Sequence, residues 1–512
     1  MNQTEHINRR KFMKKAGLAV LPGITPLLAK GGQITTSERK VRLVIETDGP
    51  ARLEVRGSGT DMYQPEGAVM QRFMSKDPGP YAGHFTSTGT AVLELLPGRY
   101  TVIAEKGLEF TSVQSTVDLR ADQTLHLAPQ RWVHMAPKGW WSGDFHIHRP
   151  PEVAKLLITA EDINLGVFFT VWNKQSYWKD KSLPVDPTVR ADSEHIATLM
   201  NEEDERGGGA WMMHNLKRPI DMSGADRWYP QGGVFVDQAK SQGGWFDSEK
   251  PIWWEAPVMA ALAGIDSMGV VHNHYYQYGM MANEAWGRPR DQQLFPGKEG
   301  FSNYSQNLYH RYLNIGMRYP ASAGSASGVL PAPPGYNRVY VYAPAGLSVE
   351  NFYAALKAGR SFATNGPLLT FTVEGKGSGE TVQPQPNRPL HVVCEAQARE
   401  PINAIEIVAN GRVVASTSSA KLESAVAPRD YTWMAARCTL KTESTVRLAH
   451  TSPVFLTGER QTWDPSGDRM FFLKWIDDLI EVTKTDPKRF TTVDQKNQVL
   501  AIYERARSHY QG

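Results

Sequence analysis

Between residues 40 and 130 apolar and polar positions alternate with a period of two, in VRLVIET, ARLEVRG, TAVLELL and RYTVIAE, with turn signals such as DGP and PGR between them. Successive side chains of a strand point to opposite faces, so this pattern predicts half-buried strands and an N-terminal β-sandwich domain over 40–130. From 138 to 365 the period changes. Short apolar runs (GVFFTVW, IDSMGVV) alternate with stretches of helical spacing, PEVAKLLITAEDI and DSEHIATLMNEEDE. That alternation predicts βα units around a parallel sheet, of α/β class. A (β/α) barrel variant suits the length, and such barrels carry functional residues at strand C-termini.

YNRVYVYA, residues 336–343, predicts a strand, followed by a helix capped by Ser348 and ended by Gly359. Residues 366–456 return to β pattern in LLTFTVEG, LHVVCEAQA, AIEIVANGRVVAS and STVRLAH, with ANGR as a hairpin turn. FFLKWIDDLIEV and NQVLAIYERA, within 466–512, predict two helices that pack back on the body.

At 512 residues the chain has room for about three domains. The mean hydropathy of −0.42 excludes a polytopic membrane protein. Basic and acidic residues nearly balance (56 against 53), and the basic ones are scattered, which argues against nucleic acid as a partner. The 14 tryptophans and 19 tyrosines are read mainly as core. Cys394 and Cys438 are the two cysteines, too few for a thiolate zinc site. They allow a disulfide without indicating one.

The start of the chain, NRRKFMKKAGLAVLPGITPLLAKG, has a basic head and a modest apolar stretch. Arg9-Arg10 resembles a twin-arginine export signal, here assigned to residues 1–35. The expected location is therefore periplasmic or secreted, without an integral membrane segment beyond the signal.

Candidate chemistry centres on GWWSGDFHIHRP, residues 139–150. Two residues apart on a strand, His146 and His148 could present imidazole nitrogens to one cation, with Asp144 orienting an imidazole or accepting a proton. Glu202-Glu203-Asp204-Glu205 closes the expected helical stretch and leads through a glycine run into AWMMH, ending on His214. VVHNHYY repeats the spacing with His272 and His274. His195 and His310 are read as structural. Arg288 and Arg290, beside Trp286, could hold a carboxylate or phosphate or form ordinary loop salt bridges.

WWSGDFHIH resembles the WxGDLHxH opening of PHP-type metallohydrolases, in particular the CehA/McbA (carbaryl-hydrolase-like) family. GRSFATNGPLLTFTVEGKGSGE, from Gly359, is similar to that family's strand–turn region, and the resemblance spans about residues 130–380. It implies a distorted (β/α) barrel holding divalent metal and hydrolysing ester-like bonds. Carried over, it implies His146 and His148 as the first ligand pair, one acid of the Glu203–Glu205 segment (assigned to Glu203) and His214 as further ligands, with His274 a looser match. Asp144 or one of Glu202 to Glu205 (assigned to Glu205) is the expected proton acceptor. The chain also departs from the pattern. Thr170-Val171-Trp172-Asn173 stands where the family has TDHN, and Gly324-Ser325-Ala326-Ser327-Gly328 where it has GSDxH. One zinc, manganese or iron ion is therefore expected rather than a cluster, with Trp172, Asn173 and Arg288 lining a substrate pocket.

The expectation is an exported metal-dependent hydrolase of a carboxyl, carbamate or phosphate ester, acting on a small-molecule or glycan substrate. The alternative is a secreted glycan- or ligand-binding protein on a degenerate barrel.

Overall fold

Two sheets build the N-terminal region of this computed structural model, which describes residues 39–70, 83–385, 388–427, 430–458 and 463–511. The expected export signal lies outside them. Strands Val41–Glu46, Thr90–Leu95 and Gln123–His126 form one sheet; Ala51–Arg56, Phe85–Ser87, Gly98–Glu105 and Val113–Leu119 are the main strands of the other. The alternation seen in the sequence is the reason they close on each other. Leu43, Ile45 and Leu93 from the first sheet share one core with Leu53, Val55, Val102 and Ala104 from the second.

The central region opens with β1 (Trp140–Ile147), helix α1 (Ala154–Ala160) and β2 (Leu165–Phe168), which runs parallel to β1. After two residues the chain resumes as β3 (Val171–Trp172). A similar break, of three residues, separates β4 (Ile196–Thr198) from β5 (Glu202–Glu205). β2 pairs with β4 in one sheet, and β3 pairs with β5 in a second. The second sheet continues through β6 (Ala210–His214), β7 (Trp245–Ser248), β8 (Ser267–Val271) and β9 (Ala321–Ala323). Just beyond β9, Ser327 bridges back to Ile147 of β1.

The expected helix over DSEHIATLMNEEDE is thus two strands. Apolar periodicity in this stretch is short, and the acids that suggested a solvated helix end are buried: Glu202, Glu203 and Asp204 are each under 4% exposed. His195 precedes β4 rather than sitting on a helix, held by Asp192 and Asp162.

β1 also pairs antiparallel with β10 (Arg338–Tyr342), and from there a single twelve-stranded sheet runs into the C-terminal β region. The boundary expected at 365 falls inside this sheet, because Ser361–Thr364 pairs with both β10 and Leu448–Thr451. Residues 40–512 form one compact unit. Ser348 caps helix Val349–Lys357 by accepting the Asn351 amide at 3.0 Å. Asn410 and Gly411 take positive φ (45° and 78°) in the ANGR hairpin, as a two-residue turn of this hand requires.

Helices Ser466–Thr485 and Val493–Gln511 bury Phe472, Trp475, Val499 and Tyr503 in the central core. The Tyr510 hydroxyl donates to the Pro257 carbonyl at 2.7 Å. Cys394 and Cys438 are free and buried. The described residues are mixed α/β, strand-rich and arranged in several sheets with few helices. Among them, no helix is long and apolar enough to cross a membrane.

Candidate metal centre

Ile147 ends β1, yet its bridge to Ser327 and the His148 amide's bond to the Ser327 carbonyl (2.8 Å) hold the backbone extended one residue further. His146 and His148 therefore project together, ring centroids 4.9 Å apart. The loop behind them must be glycine-built. A Cβ at Gly324 would lie 2.5 Å from His146 Cβ, and one at Gly328 (φ +103°) 2.1 Å from the His148 carbonyl oxygen. Asp144 ties this loop to the strand. Its carboxylate accepts the amides of His146 (3.0 Å), Ser325 (2.9 Å) and Gly335 (2.7 Å) and the Ser325 hydroxyl (2.5 Å).

The carboxylate facing the histidines comes from β5. Alternation along that strand sends Glu202 and Asp204 one way and Glu203 and Glu205 the other. Glu202 accepts the Ile220 amide at 2.8 Å, and Asp204 takes the Arg206 guanidinium at 2.6 and 2.8 Å. Glu205 accepts the Trp172 indole N–H at 3.0 Å. Glu203 Oε2 lies 2.8 Å from His148 Nε2 and 3.5 Å from His146 Nε2, and the two Nε2 atoms are 3.0 Å apart.

These three residues could hold a metal ion, their donor atoms all lying within 4.8 Å of one another. Ligand bonds of about 2.0–2.1 Å put neighbouring donors about 2.9–3.4 Å apart in octahedral or tetrahedral geometry. The triangle fits that spacing. Glu203 Oε2 is also buried with no aligned hydrogen-bond donor, an acceptor that a cation would satisfy.

The electrostatics point the same way. Burial alone would depress the His146 pKa, but Glu203 and then Glu249 outweigh it and raise it to about 10. Burial wins at His148, whose pKa is lowered. Burial would raise Glu203, but the two imidazoles hold it well below the usual carboxylate range. An ionised carboxylate against two imidazoles is a donor set in which a divalent cation competes with protons.

Other sequence candidates stand differently. Asp144 spends its carboxylate on four donors, which makes it a support for the strand and argues against the proton-acceptor role. His214 ends β6 beside the site, its ring 4.9 Å from Phe145 and 5.6 Å from Phe169, with Nδ1 3.3 Å from the Tyr353 hydroxyl. It is outside the three-donor group; burial holds its pKa at about 3 and its Nε2 has no hydrogen-bond partner. His274 stacks on Phe301 at 5.2 Å, again outside the group.

Trp172 does wall the site, 4.9 Å from the His148 ring. Asn173 is engaged with the Glu205 backbone through both its oxygen (2.8 Å) and its nitrogen (3.1 Å). The Arg288 guanidinium is occupied elsewhere, 4.9 Å from both the Phe471 and Trp475 rings and 3.8 Å from Asp478. That packing replaces the expected pocket role. Sequence reasoning missed Glu249 and Lys250, buried just past β7. The only signal for them was their place after a strand, in a central region where the other candidates also follow strands.

No family model matches the chain, and no curated protein matches it. Among solved structures, the apo form of Bacteroides uniformis β-glucuronidase 3 aligns at 9% identity and a TM-score of 0.15, covering 80% of this chain and 60% of that one. Bacteroides uniformis β-glucuronidase 2 covalently bound to cyclophellitol-6-carboxylate aziridine aligns at 7% and 0.15, covering 82% and 58%. The chain spans about three fifths of those structures' length, and likenesses this slight carry no argument about its fold or activity.

Proposed function

We propose that the protein is a metal-dependent hydrolase of the PHP, CehA/McbA-like type, exported to the periplasm or beyond, with one zinc, manganese or iron ion at His146, His148 and Glu203. One observation carries this reading: two imidazole nitrogens from the motif WWSGDFHIH and a carboxylate oxygen of Glu203 on β5 converge at ligand spacing. The Ser327–Ile147 bridge, which links the end of the second sheet back to β1, supports a distorted barrel. A divalent ion bound there would lower the pKa of water towards about 7 and polarise the oxygen of an ester, carbamate or phosphate group.

The chain's own residues supply the rest. Asp144 and the glycine loop fix the two imidazoles. Glu203 keeps a negative charge against them. Glu205, half-buried and oriented by the Trp172 indole, is the acid at the rim that can take up a proton. Trp172 beside His148 gives an aromatic wall for a small-molecule or glycan substrate.

That same wall favours the second reading, a secreted binding protein on a degenerate barrel, because the tryptophan stands where the resembled family keeps a ligand. Metal analysis and esterase and phosphodiesterase assays decide between them. A hydrolase purifies with about one equivalent of metal and loses both metal and activity in His146→Ala. Less than about a tenth of an equivalent, with no change in melting temperature on chelation, contradicts it.

A further inference from the structure

Glu249 and Lys250 follow β7, are buried, and stand outside the three-donor group. The two oxygens of Glu249 are divided: Oε1 lies 3.3 Å from His146 Nδ1, an ion-pair approach in which neither atom has another hydrogen-bond partner among the described residues, and Oε2 accepts from Lys250 Nζ at 2.6 Å. The side chains of His146, Glu249 and Lys250 are 4%, 5% and 3% exposed, so solvent does little to screen these contacts. Lys250 Nζ in turn sits 4.5 Å from the Trp253 ring centroid, which fixes the ammonium from its other side.

The backbone is built to allow this approach. A Cβ at Gly269 on the neighbouring strand β8 would lie 2.0 Å from the Glu249 carbonyl oxygen, so the chain passes there only because that position is glycine.

An imidazole has two nitrogens, and the bond made by one sets the role of the other. A carboxylate beside Nδ1 favours the proton there, so that when a cation displaces the other proton the Nε2 lone pair is the one that faces it, beside His148 Nε2 and Glu203 Oε2. We propose that Glu249 is the positioning residue of His146, holding its ring and tautomer for metal binding, and that Lys250 pins Glu249 in that role. The inference rests on the metal reading above and adds a residue to it.

The test is calorimetric titration of the full chain with Zn²⁺, in parallel with thermal melting of the metal-free protein. Glu249→Leu/Lys250→Met removes the pair together and leaves no unpaired buried ammonium. It is expected to bind Zn²⁺ about 10–100-fold more weakly than wild type. Glu249→Gln, which keeps an acceptor oxygen for Nδ1–H, is expected to lose less, and it serves if the double variant does not fold. A purely structural pair would lower the melting temperature and leave affinity alone. Folded variants that bind Zn²⁺ within about twofold of wild type overturn this inference and leave the metal reading standing. A wild-type chain that takes up no Zn²⁺ overturns both.

Discussion

The chain carries two His-x-His pairs after apolar strands, and they meet different fates. At His146 and His148 the backbone stays extended through the Ser327 bridge, so both rings face one way, towards a buried carboxylate. At His272 and His274 the chain turns at once, the Tyr275 amide bonding to the His272 carbonyl at 3.0 Å. His272 Nε2 reaches the Ser305 hydroxyl at 3.1 Å, while His274 stacks on Phe301. Burial pushes both pKa values down, His274 to about 3, with the Lys250 ammonium adding to the effect there. The same spacing makes a pair that could hold a cation in one place and core packing in the other. What separates them is the backbone after the first histidine and an acid across from it.

The largest way to break this comparison is to exchange the fates. His148→Ala is expected to weaken Zn²⁺ binding by more than about 100-fold, since a ligand counts for more than its supports. His272→Ala should leave affinity within about threefold of wild type. Its cost should appear in denaturant melts instead, at about 1–3 kcal/mol, because the Ser305 hydroxyl loses its buried partner. Equal losses of affinity in the two variants would make the two pairs one site.

The contrast between neighbouring acids on β5 can be sharpened by pH. Burial raises Glu202 to about 8, so the folded chain keeps a proton that the unfolded chain releases above its ordinary value of 4.5. Stability from this group is fully present below about 4.5 and is lost as pH rises towards 8, with a slope of up to about 1.4 kcal/mol per pH unit. Glu202→Gln should flatten that decline in denaturant melts across the window. An unchanged slope would mean that Glu202 is ionised beside Glu203.

A smaller effect is expected at His214, which borders the site without joining the donor group. His214→Phe should keep Zn²⁺ affinity within about threefold and cost about 1 kcal/mol through the Tyr353 contact. A tenfold loss of affinity would restore it as a ligand.

Much of the flanking architecture was legible in the sequence. Alternation in VRLVIET or TAVLELL, the Ser348 cap and the ANGR turn are local signals, read from a few adjacent residues. His146 and His148 were legible for the same reason. The misreadings arose where the outcome depends on distant chain. Glu202-Glu203-Asp204-Glu205 looks like a solvated helix end until β3 and β6 pair on either side and bury it. Glu249 is one of 53 acidic residues, and its meaning comes from a histidine about a hundred positions earlier. The boundary expected at 365 failed likewise, because Ser361–Thr364 joins strands that precede and follow it in the chain.

The first pair, and not the second, is proposed to anchor a metal ion with Glu203. Elemental analysis of wild type, His146→Ala and His272→Ala, each purified without added metal, tests it most directly. About one equivalent of divalent metal is expected in wild type and His272→Ala and none in His146→Ala. Metal retained in His146→Ala, or missing from wild type, would contradict it.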